Sequence, residues 1–390
     1  MDPPFIGWVP LSSGFIGWGL LEELDHLRTI RDPGNAYRAL SCSCGALIVI
    51  ISNDKLSSTF CASCMSNRLK CSVMMATYRP AVYLCDQVTS VLNQEGLSIN
   101  LLISDDSEDK SILMRLLPEA FLQTIAHTVS QVNVIDGPQD GVASANFFSL
   151  VLNNSANADF YAFADQDDVW SANKLAEAIK LLEMTGSDCY SSELHVWNAP
   201  SPPSSSAISQ RWRIKKKLFG LFFAESAGCT YLISRRAFLS LKQRLLQIAE
   251  MNLLHHLFSH DLFTSAFLHS QGYKWCHDRR SMIYYRQHES NAWGVNVMSF
   301  AGLKKRLTLL NSQHYYGLLY LAWIGSAQGT IASRLWLSLS RLGLRDRIFL
   351  LCSAFSAINI FSLKAAGLAF FVLLARKHRF PLCLRNQYLP

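Results

Sequence analysis

The feature that most constrains this chain is a run of apolar residues that ends abruptly in carboxylates. Residues 160–164 read FYAFA, and Asp165, Asp167 and Asp168 follow them. An unbroken apolar run of this length is typical of a strand that is buried on both faces of a sheet. Carboxylates spaced so closely repel one another unless a cation lies among them, and Mg²⁺ or Mn²⁺ prefers such oxygen ligands. The pattern predicts either a D-x-D metal site at a strand end or an acidic turn that caps the following helix.

The composition describes a large and rather apolar protein. The chain has 390 residues, of which 50% are hydrophobic and 17% charged, so it can bury a large core and has room for two domains. The net charge of +7 is concentrated in residues 301–390, which hold twelve lysines and arginines against one acid. This basic, apolar region favours an anionic membrane surface or a phosphorylated lipid as partner. Because no basic stripe interleaved with aromatic residues occurs elsewhere, we expect no binding to nucleic acid.

Residues 1–70 show no consistent periodicity, and we interpret them as an atypical extension. They are expected to be either disordered or the product of a misassigned start, in which case translation begins at Met65. Five of the eleven cysteines lie in or beside this stretch, at Cys42, Cys44, Cys61, Cys64 and Cys71. Their spacing is compatible with a zinc site, although no helical pair of ligands accompanies them. The remaining cysteines lie among apolar residues and are typical of small buried side chains in a reducing cytoplasm.

From Cys71 to about residue 297, apolar strands alternate with helical patterns. Strands are predicted over residues 71–76, 99–103, 132–135, 160–164, 226–234 and 281–287, and helices over residues 82–92, 111–124, 142–152, 172–184 and 259–269. This alternation predicts an α/β fold with a mostly parallel sheet and helices on both faces. Ligands of such sheets bind outside the carboxyl ends of the strands, where Tyr78, Asp105-Asp106 and the acidic residues 165–168 would converge.

Seven motifs in this region give a more specific interpretation. They read SVMMATY, ISDD, GPQDGVASANFFSLVL, FADQDDVWSANKL, GCTYLISRRA, HDLFTSAFLHSQG and YYRQHESNAWG. By these motifs residues 71–294 resemble the inverting family 2 glycosyltransferases, and most closely the bacterial rhamnosyltransferase-like branch. The resemblance implies a GT-A fold and the transfer of a sugar, with rhamnose a candidate, from a nucleotide-sugar donor. The acceptor would be a glycan or a polyprenyl-diphosphate-linked saccharide in O-antigen or capsule synthesis.

The resemblance also implies roles for single residues. Positions that would contact or shape the donor pocket are Ala76, Tyr78, Asp106, Gly141, Asn146, Asp165 and His288, with Asp106 facing the base and His288 on a loop that closes over the diphosphate. Asp167, next to Asp165, would coordinate Mg²⁺ or Mn²⁺, and Asp261 falls at the position of the general base. This assignment suits inverting transfer, which needs a base for the acceptor hydroxyl and a cation for the departing diphosphate.

Two departures from the family pattern leave an alternative open. The loop Asp105-Asp106-Ser107 lacks the usual glycine, and Arg79 stands where asparagine is common. Either departure is compatible with an altered donor or with a degenerate enzyme that acts as a nucleotide-sugar or glycan binding module. A phosphodiesterase is disfavoured because no second metal cluster of histidines and acids is evident.

The C-terminal region, residues 298–390, is expected to be helical and associated with a membrane. Residues 348–375 are strongly apolar, but Asn359 and Lys364 interrupt them, and the uninterrupted run 365–375 is shorter than the roughly twenty residues of a transmembrane helix. Flanking arginines and lysines favour a helix in the interface, which would place the enzyme on the inner, cytoplasmic face of the membrane. A buried core helix is the alternative.

Overall fold

The computed structural model describes residues 68–125, 131–198, 209–210, 224–257, 259–287 and 343–357, four strands between residues 28 and 60, and the single positions 317, 320, 324 and 338. The chain divides into two units, Met1–Leu69 and Lys70–Pro390.

The first unit contains a four-stranded antiparallel sheet in the order β1-β2-β3-β4. Its strands are β1 (Arg28–Arg31), β2 (Arg38–Ser41), β3 (Leu47–Ser52) and β4 (Lys55–Phe60). Residues 46–51 (ALIVII) are all apolar, but their periodicity predicts neither a helix nor a strand. They lie mostly in β3. Cys42, Cys44, Cys61 and Cys64 lie outside the described residues, whereas Cys71 is a free, buried cysteine of the second unit.

The second unit is built on a nine-stranded mixed sheet. Its strands are β5 (Lys70–Thr77), β6 (Ser98–Asp105), β7 (Gln131–Asp136), β8 (Phe160–Ala164), β9 (Val169–Trp170), β10 (Cys189–Asn198), β11 (Ser209–Gln210), β12 (Leu232–Ser234) and β13 (Trp275–Gln287). The order is β7-β6-β5-β8-β12-β10-β13-β9, and β11 pairs with β10. Strands β5 to β8 are mutually parallel, as are β10 and β13, whereas β9, β11 and β12 run antiparallel to their neighbours. The prediction of a mostly parallel sheet is confirmed.

Eight α-helices are described in this unit. They are α1 (Tyr83–Leu92), α2 (Ser111–Leu116), α3 (Glu119–Ile125), α4 (Ala143–Asn153), α5 (Lys174–Thr185), α6 (Arg235–Glu250), α7 (His260–Ser270) and α8 (Leu344–Ala357). The single helix predicted over residues 111–124 is divided into α2 and α3 at Pro118. Proline has no N–H to continue a helix and disfavours helical backbone in the residue before it. The new helix begins there, since the carbonyl oxygen of Pro118 accepts from the N–H of Leu122 at 3.1 Å.

The core consists of two apolar layers that line opposite faces of the sheet. Along β5, Val73 and Met75 join one layer and Met74 the other, as the alternation of a strand requires. Helices α1 and α5 cover the first layer, and α4, α6 and α7 cover the second. The sheet is therefore buried on both faces, which explains why its central strands read as continuous apolar runs.

Helix α8 covers the beginning of the apolar stretch 348–375. Leu350 is buried in the second core layer, whereas Leu344 and Ile348 are exposed. For this part of the stretch the contacts are those of a core helix, the alternative interpretation of the sequence. Within the residues that the structure describes, no helix is both long and apolar enough to span a bilayer. Residues 358–375 lie outside the described part.

Candidate active site

Several of the predicted site residues lie where three neighbouring parallel strands end. Strands β6, β5 and β8 lie side by side, with Thr77 opposite Asp105 and Met75 opposite Ala164. The residues that follow these strands include Tyr78, Asp106 and Asp165, so they share one edge of the sheet. This is the edge at which parallel α/β sheets bind their ligands.

The carboxylates after β8 are crowded. Ligand atoms of Asp165, Asp168 and Cys229 all lie within 4.8 Å of one another. Burial raises the pKa of Asp165 to about 7. The negative charge of Asp167 is the second largest cause, and that of Asp261 makes a smaller contribution. Burial and the charges of Asp167 and Asp165 also raise the pKa of Asp168 well above its usual range. The turn therefore concentrates negative charge that a bound cation would stabilise.

A divalent cation fits this donor set. Among the described atoms the buried Oδ2 of Asp168 has no hydrogen-bond partner, and carboxylate oxygens are the ligands that Mg²⁺ and Mn²⁺ prefer. Asp168 is fully buried, whereas Asp165 and Asp167 are partly exposed. Because a cation that carries a diphosphate must be reached from solvent, the partly exposed pair of the predicted D-x-D is better placed to bind it. Burial raises the pKa of the Cys229 thiol, which keeps it protonated beside the carboxylates.

Hydrogen bonds to distant segments of the chain fix the acidic turn. Gln166 forms two hydrogen bonds with the backbone of Tyr78: its Oε1 accepts from the N–H at 2.9 Å and its Nε2 donates to the carbonyl at 3.1 Å. The Nε2 of Gln87, on α1, donates to the carbonyl of Asp165 at 3.1 Å. The Nε of Arg286, on β13, donates to the carbonyl of Asp167 at 2.9 Å. Sequence reasoning assigned no role to these three side chains.

Asp106 anchors the loop that follows β7. Its side chain is buried and accepts hydrogen bonds from the N–H groups of Gln139 and Gly141, the latter at 2.8 Å. Burial raises the pKa of Asp106, and these two amides oppose the shift. A Cβ at Gly137 would lie 2.8 Å from the Oδ1 of Asp106, so glycine permits the close approach. The structure thus places the Asp106 carboxylate against this loop, and its contact with a base stays a prediction.

Two further predicted positions lie beside this loop. Gly141 has φ +67, and a Cβ there would be 3.8 Å from the hydroxyl of Tyr78, so both predicted pocket residues are neighbours. Asn146, buried in α4, donates from Nδ2 to the carbonyls of Thr77 at 3.0 Å and Ser104 at 3.1 Å. It therefore ties together the ends of β5 and β6. Ala76, near the end of β5, is partly exposed.

The loop without its usual glycine is closed by its own hydrogen bonds. Oδ1 of Asp105 accepts from the N–H of Ser107 at 3.1 Å and from its hydroxyl at 2.6 Å. The hydroxyl of Ser107 in turn accepts from the N–H of Arg79 at 2.7 Å. Arg79 has φ 44, which is uncommon for a residue other than glycine, and its guanidinium carbon lies 5.1 Å from the ring centre of Tyr78. The shortened loop thus holds Arg79 in a strained conformation beside the site.

Asp261 lies in the first turn of α7. The hydroxyl of Ser259 caps this helix, accepting from the N–H of Leu262 at 3.3 Å, and Oδ1 of Asp261 accepts from the same N–H at 2.7 Å. The Ser259 hydroxyl also donates to Asp261. The charge of Asp261 is the smallest of the named causes that raise the pKa of Asp165, so the two carboxylates lie within electrostatic range of each other.

His260 packs the start of α7 against α4. Its ring is stacked on Phe147 with centroids 3.7 Å apart, and burial lowers its pKa to about 4, so the imidazole is neutral near pH 7. A Cβ at Gly228 would lie 2.2 Å from the Nε2 of His260, so only glycine fits at this position.

The strand predicted over residues 226–234 is instead a 3₁₀ turn, Gly228–Thr230, followed by the short β12. His288, the last predicted donor residue, lies outside the described residues.

Comparisons with known proteins define the class. The family description Glycosyl transferase family 2 matches residues 72–239. The dTDP-rhamnosyl transferase RfbG of Shigella flexneri is 30% identical over 243 residues, which are 62% of this chain and 80% of that protein. The chain belongs to glycosyl transferase family 2 and is a family 2 glycosyltransferase, as the sequence motifs predicted. Family membership and the mixed, mostly parallel sheet together confirm the expected GT-A fold.

Two solved structures show partial similarity to the chain. Residues 1–349 of TarS from S. aureus are 13% identical, with 78% of this chain and 79% of that one covered and a TM-score of 0.43. The mannosyltransferase PcManGT from Pyrobaculum calidifontis, solved with GDP-Man and Mn²⁺, is 13% identical with the same coverage and a TM-score of 0.41.

Proposed function

We propose that this glycosyltransferase transfers rhamnose from a dTDP-linked donor, with inversion, to a saccharide or polyprenyl-diphosphate-linked acceptor in bacterial O-antigen or capsule synthesis. The observation that carries the proposal is the convergence of Tyr78 and the acidic residues 165–168 at one sheet edge, with Asp261 within electrostatic range of Asp165. The relative of the same family, a dTDP-rhamnosyl transferase, supports the choice of donor.

Asp167 and Asp165 would hold Mg²⁺ or Mn²⁺. When bound, the cation would neutralise the charge that develops on the departing nucleoside diphosphate. The protein's contribution is to keep both carboxylates at one place: Gln166 fastens the turn to Tyr78, and Gln87 holds the carbonyl of Asp165. The donor would lie between this turn and the loop anchored on Asp106.

The remaining pocket residues would act on the nucleotide. Tyr78 offers an exposed aromatic ring on which a base can stack, and Ala76 and Gly141 leave room beside it. Asn146 would support the pocket from below by holding the two strand ends. His288 would close over the diphosphate, as the family resemblance implies.

Asp261 would be the general base that takes the proton of the acceptor hydroxyl as it attacks the anomeric carbon. The N–H of Leu262 donates to its carboxylate at 2.7 Å and orients it. Neighbouring His260 is buried and neutral, so it supplies no charge that would compete for this carboxylate.

The alternative of a degenerate binding module was raised by the shortened loop after β6. The hydrogen bonds of Ser107 to Asp105 and Arg79 close this loop, so its length alone gives no reason to expect an impaired site.

Titration calorimetry combined with a turnover assay tests the proposal. We expect dTDP-rhamnose to bind at least about tenfold more tightly than UDP-N-acetylglucosamine, and only with Mn²⁺ or Mg²⁺ present. Lipid-linked saccharides extracted from bacterial membranes should then stimulate dTDP release, and NMR of the product should show the inverted anomeric configuration. Binding without turnover would support the binding module, and absence of binding to any nucleotide sugar would contradict both functions.

A further inference from the structure

Arg286 joins three separate segments of the chain at the acidic turn. Strand β13 pairs antiparallel with β9, with Ile283 opposite Trp170 and Tyr284 opposite Val169. Continuing that register by two residues brings Arg286 opposite Asp167. The backbone follows this course, since the N–H of Arg286 donates to Oδ1 of Asp168 at 3.3 Å.

The guanidinium of Arg286 uses two of its nitrogens for different partners. Nε donates to the carbonyl oxygen of Asp167 at 2.9 Å, and Nη2 donates to Oδ2 of Asp86, on α1, at 2.9 Å. Its carbon lies 4.3 Å from the ring centre of Tyr83, one turn earlier on α1. The side chain is only 5% exposed, whereas that of Asp86 is 59% exposed. The buried end of this ion pair thus faces the acidic turn.

Burying a guanidinium is unfavourable unless its hydrogen-bonding groups are satisfied. A salt bridge to Asp86 alone would not require burial, because Asp86 is itself largely in solvent. Burial of the Arg286 side chain instead allows its Nε to donate to the carbonyl oxygen of Asp167. This contact ties the guanidinium of Arg286 to the backbone of the acidic turn itself.

We propose that Arg286 is a positioning residue: its Nε fixes the peptide of Asp167 and thereby holds the acidic turn in the arrangement that binds the donor's divalent cation. This inference rests on the proposed function, since it concerns the cation of that same site. Lysine cannot replace Arg286, because its side chain has a methylene group where arginine has the Nε that donates to the carbonyl of Asp167.

The test is an EPR titration of Mn²⁺ into the full-length protein, with dTDP present, at a temperature where circular dichroism shows every variant folded. Arg286→Met and Arg286→Lys are each expected to weaken Mn²⁺ binding by about tenfold or more, the usual effect of removing a group that orients a metal ligand. Arg286→Lys keeps a positive charge near Asp86 and guards against a Met variant that fails to fold.

Two matched controls separate positioning from general stabilisation. Asp86→Asn removes the ionic partner but leaves the bond to Asp167, and Arg280→Met breaks an ion pair with buried Asp278 elsewhere on the same strand. Both should bind Mn²⁺ within about twofold of the wild type, because neither touches the acidic turn.

Wild-type Mn²⁺ affinity in folded Arg286→Lys would overturn the inference while leaving the metal site intact. An equal loss in Asp86→Asn would also overturn it, because the ion pair to α1 would then be the cause. If the wild-type protein itself binds no Mn²⁺ with dTDP, the metal assignment of the proposed function fails first, and the inference fails with it.

Discussion

At the scale of single residues, Asp261 has two interpretations with different consequences. Its carboxylate accepts from the N–H of Leu262 at 2.7 Å, as a helix-capping group would. Its charge also reaches Asp165 across the site, as expected of a base placed near the donor. Capping affects only stability, whereas a general base affects only the rate of transfer.

We predict that Asp261→Asn lowers kcat by roughly 10²–10⁴-fold, because the acceptor hydroxyl loses its proton acceptor. The affinity for the donor should change little, since Asp261 lies on the acceptor side of the proposed reaction. Steady-state kinetics and calorimetry on the same preparation measure the two quantities.

Ser259→Ala is the matched control for this variant. It removes the hydroxyl that caps α7 but keeps the Asp261 carboxylate, and should cost about 1 kcal/mol of stability with kcat nearly unchanged. A normal kcat in Asp261→Asn, together with a stability loss like that of Ser259→Ala, would show that Asp261 is only a cap.

The residues at the sheet edge differ in how far the sequence predicts them. Asp165 and Tyr78 follow apolar strands, so the strand pattern alone brings them to one edge. The contacts of Gln166 with Tyr78 and of Arg286 with Asp86 join residues far apart in the chain, and no local pattern encodes such pairs. The arginine in the motif YYRQHESNAWG was the available signal, but nothing in a single sequence says which carbonyl it meets.

At the scale of elements, local composition explains which predictions held. Strand β10 (CYSSELHVWN) was not predicted because serines and a glutamate interrupt its apolar residues. Ser191 and Ser192 are nevertheless buried. A buried serine hydroxyl can form its hydrogen bond with nearby backbone, and that of Ser192 donates to the carbonyl of Glu193 at 3.1 Å. Helix α6 has a clear helical period in Phe238, Leu241 and Leu245, but sequence reasoning assigned no element there.

The join between β5 and β6 depends on Asn146. We predict that Asn146→Leu destabilises the protein by about 2 kcal/mol or more, because two buried carbonyls, those of Thr77 and Ser104, lose their shared donor. Urea unfolding followed by circular dichroism gives the free energy of unfolding.

Asn153→Leu provides the control on the same helix. Its Nδ2 donates to the carbonyl of Ser149 at 3.0 Å, but the residue is exposed, so water can replace it. The expected change is within about 0.5 kcal/mol. Equal free energies of unfolding for the two variants would mean that Asn146 does not tie the strands together.

At the scale of the whole molecule, the basic C-terminal region raises the question of membrane attachment. Sequence reasoning treated residues 348–375 as one helix, but Leu350 packs into the core of the second unit. Removing α8 would therefore damage the fold as well as any membrane contact. A truncation that tests attachment must end after Ala357.

We predict that the full-length protein sediments with vesicles of phosphatidylglycerol and that high salt releases part of it. The reason is the cluster Arg376, Lys377 and Arg379, each of which adds about 1 kcal/mol at an anionic surface. A chain ending at Ala357 should lose this binding and keep its affinity for the donor.

Neutral phosphatidylcholine vesicles serve as the control for charge. If the truncated chain sediments as well as the full-length one, or if the full-length protein stays in the supernatant at low salt, the interfacial interpretation of the tail is wrong.

The central claim is that the acidic turn after β8 binds the donor through a divalent cation. The most direct test is the affinity of Asp167→Asn for dTDP-rhamnose in saturating Mn²⁺, measured by calorimetry against the wild type. The substitution removes one carboxylate from a crowded turn, so it should relieve repulsion and leave the protein folded. We predict that donor affinity falls by at least about tenfold and that turnover is abolished. Unchanged donor affinity in the folded variant would contradict the account.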